Sequence, residues 1–294
     1  MAALVLVLPQ PSTAASGGRI GGGSFRAPSM PRGGSYRGGY GGYRGGYGGY
    51  RGGGMGFPFI LPIFGFGGGG LFGFLILMSI VGVIVNSVKG STTPTIQNSR
   101  GLNERPPGPV TMIQLQIGLL AKAKELQENL REIASLADTS NPTGLQRVLQ
   151  ETTLSLLRQP NLWVYANLEK GQVPFISAES TFNKLSLTER SKLNAEITSN
   201  FSGQILTSNT SGLMPGEADS TNEYIAVTLL VASKSRLELN EAITSEQLRE
   251  SLRMLGSISS SELIALEVIW QPDGQGEVLS AEDLVMAYPN LKHL

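Results

Sequence analysis

An uncharged apolar stretch in the first third of the chain constrains the fold more than any other feature. Residues 71–88 read LFGFLILMSIVGVIVNSV and contain no charged side chain. In a helix that rises about 1.5 Å per residue, such a stretch is roughly 27 Å long, which matches the hydrocarbon core of a bilayer. A lone segment in lipid must satisfy its backbone hydrogen bonds internally, and a helix does so. We therefore predict a membrane segment over residues 57–90 with one crossing helix at about 71–88.

The first part of this membrane segment has a different character. Residues 57–66 read FPFILPIFGF, with prolines at positions 58 and 62. Proline removes a backbone donor and clashes with the preceding helical turn, so a regular helix through both positions is disfavoured. Ten residues are also too few to cross a bilayer as a helix. We predict an interfacial or re-entrant piece here, joined to the crossing helix by the glycines at 67–70.

The zero net charge of the chain conceals a strong asymmetry. Residues 1–90 carry six Arg, one Lys and no acidic residue, a charge of +7, and the remaining 204 residues carry −7. A basic arm suits anionic lipid or acidic partners, whereas an acidic domain argues against nucleic acid. The chain contains no Cys, which excludes disulfides and thiolate sites.

Residues 1–15 resemble the end of a signal peptide. An apolar run is followed by a proline and then by small residues, with a cleavage position after Ala15. The basic start of a signal peptide is missing, so the segment is interpreted as a possibly truncated signal. The alternative is a mildly apolar N-terminus without a targeting role.

Residues 16–56 form a low-complexity arm rich in Gly, Tyr and Arg. It contains a seven-residue repeat, YRGGYGG, and glycine accounts for nearly half of the segment. So few apolar side chains cannot offset the backbone entropy of the glycines, which predicts disorder. One interpretation is an RNA-binding arm, in which Arg contacts phosphate and Tyr stacks on bases. The nearby apolar segment favours the other, an arm lying on a membrane surface.

A linker over residues 91–109 leads to a soluble domain over residues 110–294. Alternating and continuous apolar runs predict strands, and apolar residues at helical spacing after S/T-x-x-E/Q/D pairs predict helices. The predicted strands are 113–117, 162–166, 173–178, 224–232 and 263–270, with a turn at Lys170-Gly171 between the second and the third. The predicted helices are 119–137, 143–159, 186–200, 244–255 and a short one after Ser280. The pairs that predict capping boxes are Thr143 with Gln146, Ser186 with Glu189, Thr244 with Gln247 and Ser280 with Asp283. This succession predicts an α+β fold with a mainly antiparallel sheet and several helices.

Sequence patterns for chemistry are scarce. With no Cys and a single His, His293, the chain has no Ser-His-Asp set, no Cys-His set and no His/Cys metal cluster. Glu267 and Glu277 could form a carboxylate pair, but solvated surface or turn contacts are the default interpretation. We predict no catalytic, cofactor-binding or metal-binding residue, and a protein that is not an enzyme.

Two further residue groups receive a structural interpretation. The loop from Asp273 to Glu277 has oxygen ligands but lacks the twelve-residue pattern of a calcium loop. Four aromatic residues could line a pocket, but such residues more often belong to the core; they are Trp163, Tyr165, Trp270 and Tyr288.

Four stretches of the domain resemble one known family. They are LQIGLLAKAKELQENL (115–130), GLQRVLQETTLSLLRQPNLWVYA (144–166), YIAVTLLVAS (224–233) and LGSISSSELIALEVIWQPDGQGEVLSAEDLVMAYPNL (255–291). They are similar to the cyanobacterial and chloroplast family known as domain of unknown function 1517, and RIGGGSFR (19–26) and the Tyr/Arg/Gly tract match its N-terminal layout. The resemblance implies a thylakoid or other photosynthetic-membrane protein that acts in acclimation to fluctuating light. It supplies no catalytic residue.

The charges around the apolar segment give two answers about orientation. Over the whole arm, six Arg outnumber the three basic residues that follow the segment; within about 20 residues, Arg51 alone stands against Lys89, Arg100 and Arg105. The second count places the soluble domain on the cytoplasmic or stromal side, which we take as the expectation. It describes a single-pass protein of the thylakoid or plasma membrane.

The function predicted from these features is that of a membrane-anchored, non-enzymatic protein that binds a partner or regulates a photosynthetic membrane. Membrane lipid and an unidentified protein are the expected partners, nucleic acid is disfavoured, and the oligomeric state is left open. The alternatives are a membrane-bound enzyme that uses only carboxylates, and a protein that tethers RNA through the arm, at residues 33–54.

Overall fold

The structure is a computed structural model that describes residues 15–25, 108–207, 223–240, 244–274, 277 and 279–294, together with 72, 73, 75–78, 80 and 81. The signal-like residues 1–14, the YRGGYGG repeats, residues 57–66 and most of the linker lie outside the described residues.

The described strands form one sheet of nine. Its order is β5-β4-β1-β7-β6-β2-β3-β9, and β8 pairs with β6. The strands are β1 (Gly17–Gly23), β2 (Val110–Leu120), β3 (Trp163–Val173), β4 (Glu196–Phe201), β5 (Gln204–Thr207), β6 (Glu223–Ser233), β7 (Leu263–Gln271), β8 (Leu279–Ser280) and β9 (Lys292–His293). Every pairing is antiparallel except that of β1 with β4. With the helices given below, this confirms the prediction of an α+β fold with a mainly antiparallel sheet.

Strand β1 lies inside the sheet and corrects the prediction of disorder over residues 16–56. It pairs along its length with β7, antiparallel, and with β4, parallel. Ile20 is fully buried in the core. A Cβ atom at Gly18 would lie only 2.0 Å from the nearest atom of the Trp270 ring. Glycine at position 18 thus leaves room for the indole ring. The backbone hydrogen bonds of β1 to β4 and β7 offset the conformational entropy that its glycines lose on folding. The prediction is wrong for Gly17–Gly23.

Three helices cover one face of the sheet, which we call the helical face. They are α1 (Lys124–Leu136), α2 (Pro142–Leu157) and α4 (Ser245–Gly256). Their buried apolar side chains and those of β2, β6, β7 and Ile20 form the largest core cluster. At the end of α1, the buried Asn200 of β4 donates to the carbonyl oxygens of Ala134 and Ala137, each at 2.8 Å, which satisfies groups that a helix leaves unpaired.

The opposite face, which we call the mixed face, carries two smaller apolar clusters separated by polar residues. Helix α3 (Phe175–Arg190) and a helix at residues 72–81 border the first cluster, which includes Phe72, Val110 and Phe182. Helix α5 (Ala281–Ala287) and Tyr288 border the second.

Several boundaries agree with the sequence patterns and others do not. Strands β6 and β7 and the capping boxes at Thr244 and Ser280 are confirmed. The predicted strand 162–166 is confirmed from Trp163 onward, but β3 runs unbroken through the expected turn at Lys170-Gly171 to Val173. The predicted strand 173–178 is wrong, since α3 begins at Phe175. The reason is that Lys170 and Gly171 pair with Ile113 and Met112 of β2 instead of turning.

The predicted helix 186–200 is also wrong. Ser186 and Glu189 lie in the last turns of α3, and residues 196–201 form β4. The pair imitates a capping box in sequence, but the side chain of Glu189 bonds to sheet residues. Helix α2 is capped by Asn141, whose side chain accepts a hydrogen bond from Gly144, rather than by Thr143.

The predicted crossing helix is only partly described. Residues 72, 73, 75–78, 80 and 81 are helical, and residues 82–88 lie outside the described residues. Within the described part of the chain, no helix combines the length and apolarity that a membrane crossing requires.

Candidate functional site

A belt of buried and half-buried polar and charged side chains crosses the mixed face between its two apolar clusters. We call it the polar belt, and it comprises Arg19, Gln114, Gln116, Asn167, Glu169, Glu189, Lys192, Thr228, Glu267 and Gln271. Charges are rarely buried unless they are paired or hydrogen-bonded, so such a belt is the first place to seek function.

Glu189, at the end of α3, is the hydrogen-bond centre of one half of the belt. Its side chain is 2% exposed, and one oxygen accepts from Gln114 at 2.6 Å, Gln116 at 3.0 Å and Lys192 at 2.7 Å. The other oxygen accepts from Thr228 at 3.0 Å. With both oxygens occupied by internal donors, this carboxylate holds α3 to β2 and β6 and has no room to act as a base.

Lys192 and Tyr288 close this half of the belt. Burial lowers the pKa of Lys192, and the adjacent Glu189 carboxylate opposes that effect. The Lys192 ammonium lies 4.1 Å from the centre of the Tyr288 ring, a cation–π contact. Burial, and then the charge of Glu189, raise the pKa of Tyr288, whose hydroxyl accepts from Gln271 at 2.7 Å.

Arg19 and Glu267 form the other half, and they are less well satisfied. The Glu267 side chain is 0% exposed and its oxygen lies 3.4 Å from Nε of Arg19. Neither Glu267 oxygen has a hydrogen bond of ordinary geometry. Burial raises the pKa of Glu267, while the Ser186 hydroxyl and the Arg19 charge oppose the rise. Arg19 also stacks over the Phe201 ring at 4.1 Å, and Glu196 lies 3.9 Å away.

The structure does not bring the hypothetical carboxylate pair together. Glu267 contacts Arg19 in the middle of β7, whereas Glu277 accepts from the backbone N–H of Ser16 at 3.0 Å and from its hydroxyl. Ser16 in turn accepts from the N–H of Gly274 at 2.9 Å. Glu277 thus fixes the entry to β1.

The loop that begins at Asp273 is likewise occupied by protein donors. One oxygen of Asp273 accepts from Arg131 at 2.8 Å and from the indole of Trp270 at 2.9 Å. Among the described residues, no cluster of three or more His, Cys, Asp or Glu side chains could hold a metal ion.

The four aromatic residues lie on two faces and do not line one pocket. Trp163 and Trp270 belong to the core of the helical face. Tyr165 and Tyr288 belong to the second cluster of the mixed face, where the Tyr165 ring lies 5.4 Å from the ring of His293.

Among the concave surfaces of the described residues, one lies on each side of the sheet. A groove of about 700 Å³ runs between α1 and α2 on the outside of the helical face. Its lining mixes acidic and basic side chains with two exposed leucines, Leu136 at 77% and Leu154 at 51%. An apolar hollow of about 720 Å³ lies beside the mixed face, between Ile80 and the start of α3.

Sequence reasoning missed the polar belt although its signal is visible. Gln114 and Gln116 alternate with isoleucine and leucine, a pattern that normally means one face in water. In the structure α3 covers that face and both amides are buried. Arg19 lies in a glycine-rich segment that the sequence predicts to be disordered. Only the RIGGGSFR motif (19–26) distinguishes its surroundings from the repeats.

Comparison with known proteins places these features in one family. The family model described as "Protein of unknown function (DUF1517)" matches residues 109–294. "Protein FLAP1 homolog A" of Synechocystis is 45% identical over 284 residues, which cover 94% of this chain and 85% of that protein. "FLUCTUATING-LIGHT-ACCLIMATION protein 1, chloroplastic" of Arabidopsis thaliana is 33% identical over 300 residues, 97% of this chain and 74% of that protein. No solved structure matches.

Proposed function

Because the chain belongs to the DUF1517 family, we propose that it is a non-enzymatic protein of photosynthetic membranes that acts in light acclimation by binding a protein partner. One observation carries the proposal: two relatives named for light acclimation align with nearly the whole chain. The proposed location is the thylakoid or plasma membrane of a cyanobacterium, or the corresponding chloroplast membrane.

The geometry of the polar belt supports a non-enzymatic role. Glu189 directs both oxygens to internal donors, and Glu267 is sealed beneath Arg19. A catalytic carboxylate must instead come within hydrogen-bond reach of a substrate. The belt therefore stabilises the packing of elements on the mixed face. We expect other molecules to bind to the exposed surface instead.

We place the protein partner in the groove between α1 and α2. This groove lies on the outside of the helical face, away from the helix at 72–81 and the apolar segment that the sequence assigns to the membrane. Its exposed Leu136 and Leu154 provide apolar anchors within a charged rim, the usual composition of a binding surface.

Complementation in Synechocystis tests this function. A strain that lacks FLAP1 homolog A should show altered fluorescence quenching under fluctuating light and normal quenching under constant light. Expression of this chain should restore the response, whereas a Leu136→Glu, Leu154→Glu double variant should accumulate normally and fail to restore it. A deletion strain that responds normally contradicts the light-acclimation role; restoration by the double variant contradicts the groove assignment.

A further inference from the structure

The position of β1 requires both ends of the apolar segment to lie on the same side of a membrane. Residues 17–23 are hydrogen-bonded to β4 on one edge and to β7 on the other. Six of these seven residues are buried. A strand inside the sheet cannot lie across a bilayer from the rest of that sheet.

The chain also leaves and re-enters the domain at one place. Phe25, just after β1, packs against Phe182 of α3 with ring centres 5.8 Å apart. Val110, at the start of β2, belongs to the same cluster, as does Phe72. A single crossing between residues 26 and 107 would separate these points by the roughly 30 Å of a hydrocarbon core. The sheet therefore rules out the single-pass arrangement expected from the sequence.

An apolar patch lies beside this point of exit. It consists of Leu77, Met78, Ile80 and Val81 of the 72–81 helix and of Phe175 and Ile176 at the start of α3. Four of these side chains are strongly exposed, from 44% for Val81 to 79% for Ile176. Two neighbouring elements that both expose large apolar side chains indicate an interaction surface.

A lipid bilayer is the occupant that fits this patch. In the sequence, the uncharged residues 82–88 follow directly after this helix, and the apolar residues 57–66 precede it. The arm between β1 and these residues contributes five arginines and no acidic residue, which favours anionic headgroups.

We propose that the protein attaches to the membrane from one side only. The apolar patch rests on the bilayer, and residues 26–107 enter and leave through the same surface, with an even number of crossings or none. The proposal deepens the membrane association stated under the proposed function and rests on it.

Because the chain has no native Cys, two engineered thiols that flank residues 26–107 can report directly whether both ends lie on one side of the membrane. Ser24→Cys marks the exit from β1 and Ser135→Cys marks α1, both at exposed positions. The full-length double variant is expressed in Synechocystis, and sealed vesicles from its membranes are treated with a membrane-impermeant maleimide. Intact mass then gives the number of labels on each molecule, whatever the orientation of the vesicles. One-sided attachment predicts molecules with two labels or none, and a majority carrying one label would overturn it.

A second measurement separates this inference from membrane association itself. Purified full-length protein should sediment with vesicles of anionic lipid, and Ile176→Asp should weaken binding about tenfold. Leu206→Asp, on the edge strand β5 and 67% exposed, is the matched control and should bind like wild type. If the wild-type protein does not sediment, membrane association fails; if it sediments but Ile176→Asp has no effect, the patch assignment fails.

Discussion

The two faces of the sheet are held together by different physics. On the helical face, three helices bury a continuous apolar core, with only isolated polar contacts such as that of Asn200. On the mixed face, apolar clusters at both ends enclose a belt in which charged groups are paired in low dielectric. Stability on the first face depends mainly on packed volume, whereas on the second it depends on keeping every charge matched.

The largest expected effect is on the mixed face, at Arg19. Arg19→Met leaves Glu267 buried without its nearest cation, and breaking such a pair costs about 3–5 kcal/mol of unfolding free energy. The pKa of Glu267, already raised by burial, rises further. The folded state then binds more protons than the unfolded state. The free energy of unfolding therefore falls as pH rises above 4.5, the ordinary pKa of a glutamate.

Denaturant unfolding of wild type and Arg19→Met at pH 4.5 and 7.5 checks this sign. The loss should be smaller at pH 4.5, where a protonated Glu267 needs no cation. An equal loss at both pH values would mean that Arg19 acts by packing alone.

On the helical face, Leu149→Ala should cost about 2–5 kcal/mol, because a buried leucine is replaced by a cavity. The loss should be the same at both pH values. Leu154→Ala, on the same helix but 51% exposed, is the control and should stay within about 0.5 kcal/mol. If the loss of unfolding free energy for Leu149→Ala depended strongly on pH, the proposed difference between the two faces would be wrong.

The other half of the belt should respond to pH in the opposite direction. Glu189→Gln should cost about 1–3 kcal/mol, since buried donors lose a charged acceptor. Lys192, whose pKa burial already lowers, would lose the carboxylate that opposes this effect. The unfolded state then binds more protons, so stability rises with pH and the loss should shrink between pH 7.5 and pH 10. A loss that grows over this range would show that Lys192 is not the affected group.

The smallest effect concerns the start of α2. Asn141→Ala should cost about 0.5–2 kcal/mol, because Asn141 caps the helix, whereas Thr143→Ala should be nearly neutral. Thermal unfolding of both variants distinguishes them. A greater loss at Thr143 would restore the capping box that the sequence suggests.

Local patterns predicted the elements whose sequence and environment agree. The apolar runs of β6 and β7 and the reciprocal caps at Thr244 and Ser280 are examples. The failures occur where tertiary pairing decides. Lys170-Gly171 has the sequence of a turn, but both residues pair with β2. Ser186 and Glu189 have the sequence of a capping box, but the Glu189 carboxylate accepts hydrogen bonds from sheet residues.

The greatest failure, at β1, has the same origin. Glycine-rich sequence predicts disorder because it has little to bury of its own. Here the neighbouring strands supply what is buried: the Trp270 ring covers Gly18, and Glu267 pairs with Arg19. The sequence of residues 17–23 by itself does not predict contacts with these distant residues.

Hydrogen exchange of the full-length protein in detergent tests the account at this strand. If β1 belongs to the sheet, amides in peptides covering residues 17–23 exchange as slowly as those of β7, with which they pair. Exchange at the rate of an unstructured peptide would contradict the placement of β1, and with it the buried Arg19–Glu267 pair and the one-sided attachment to the membrane.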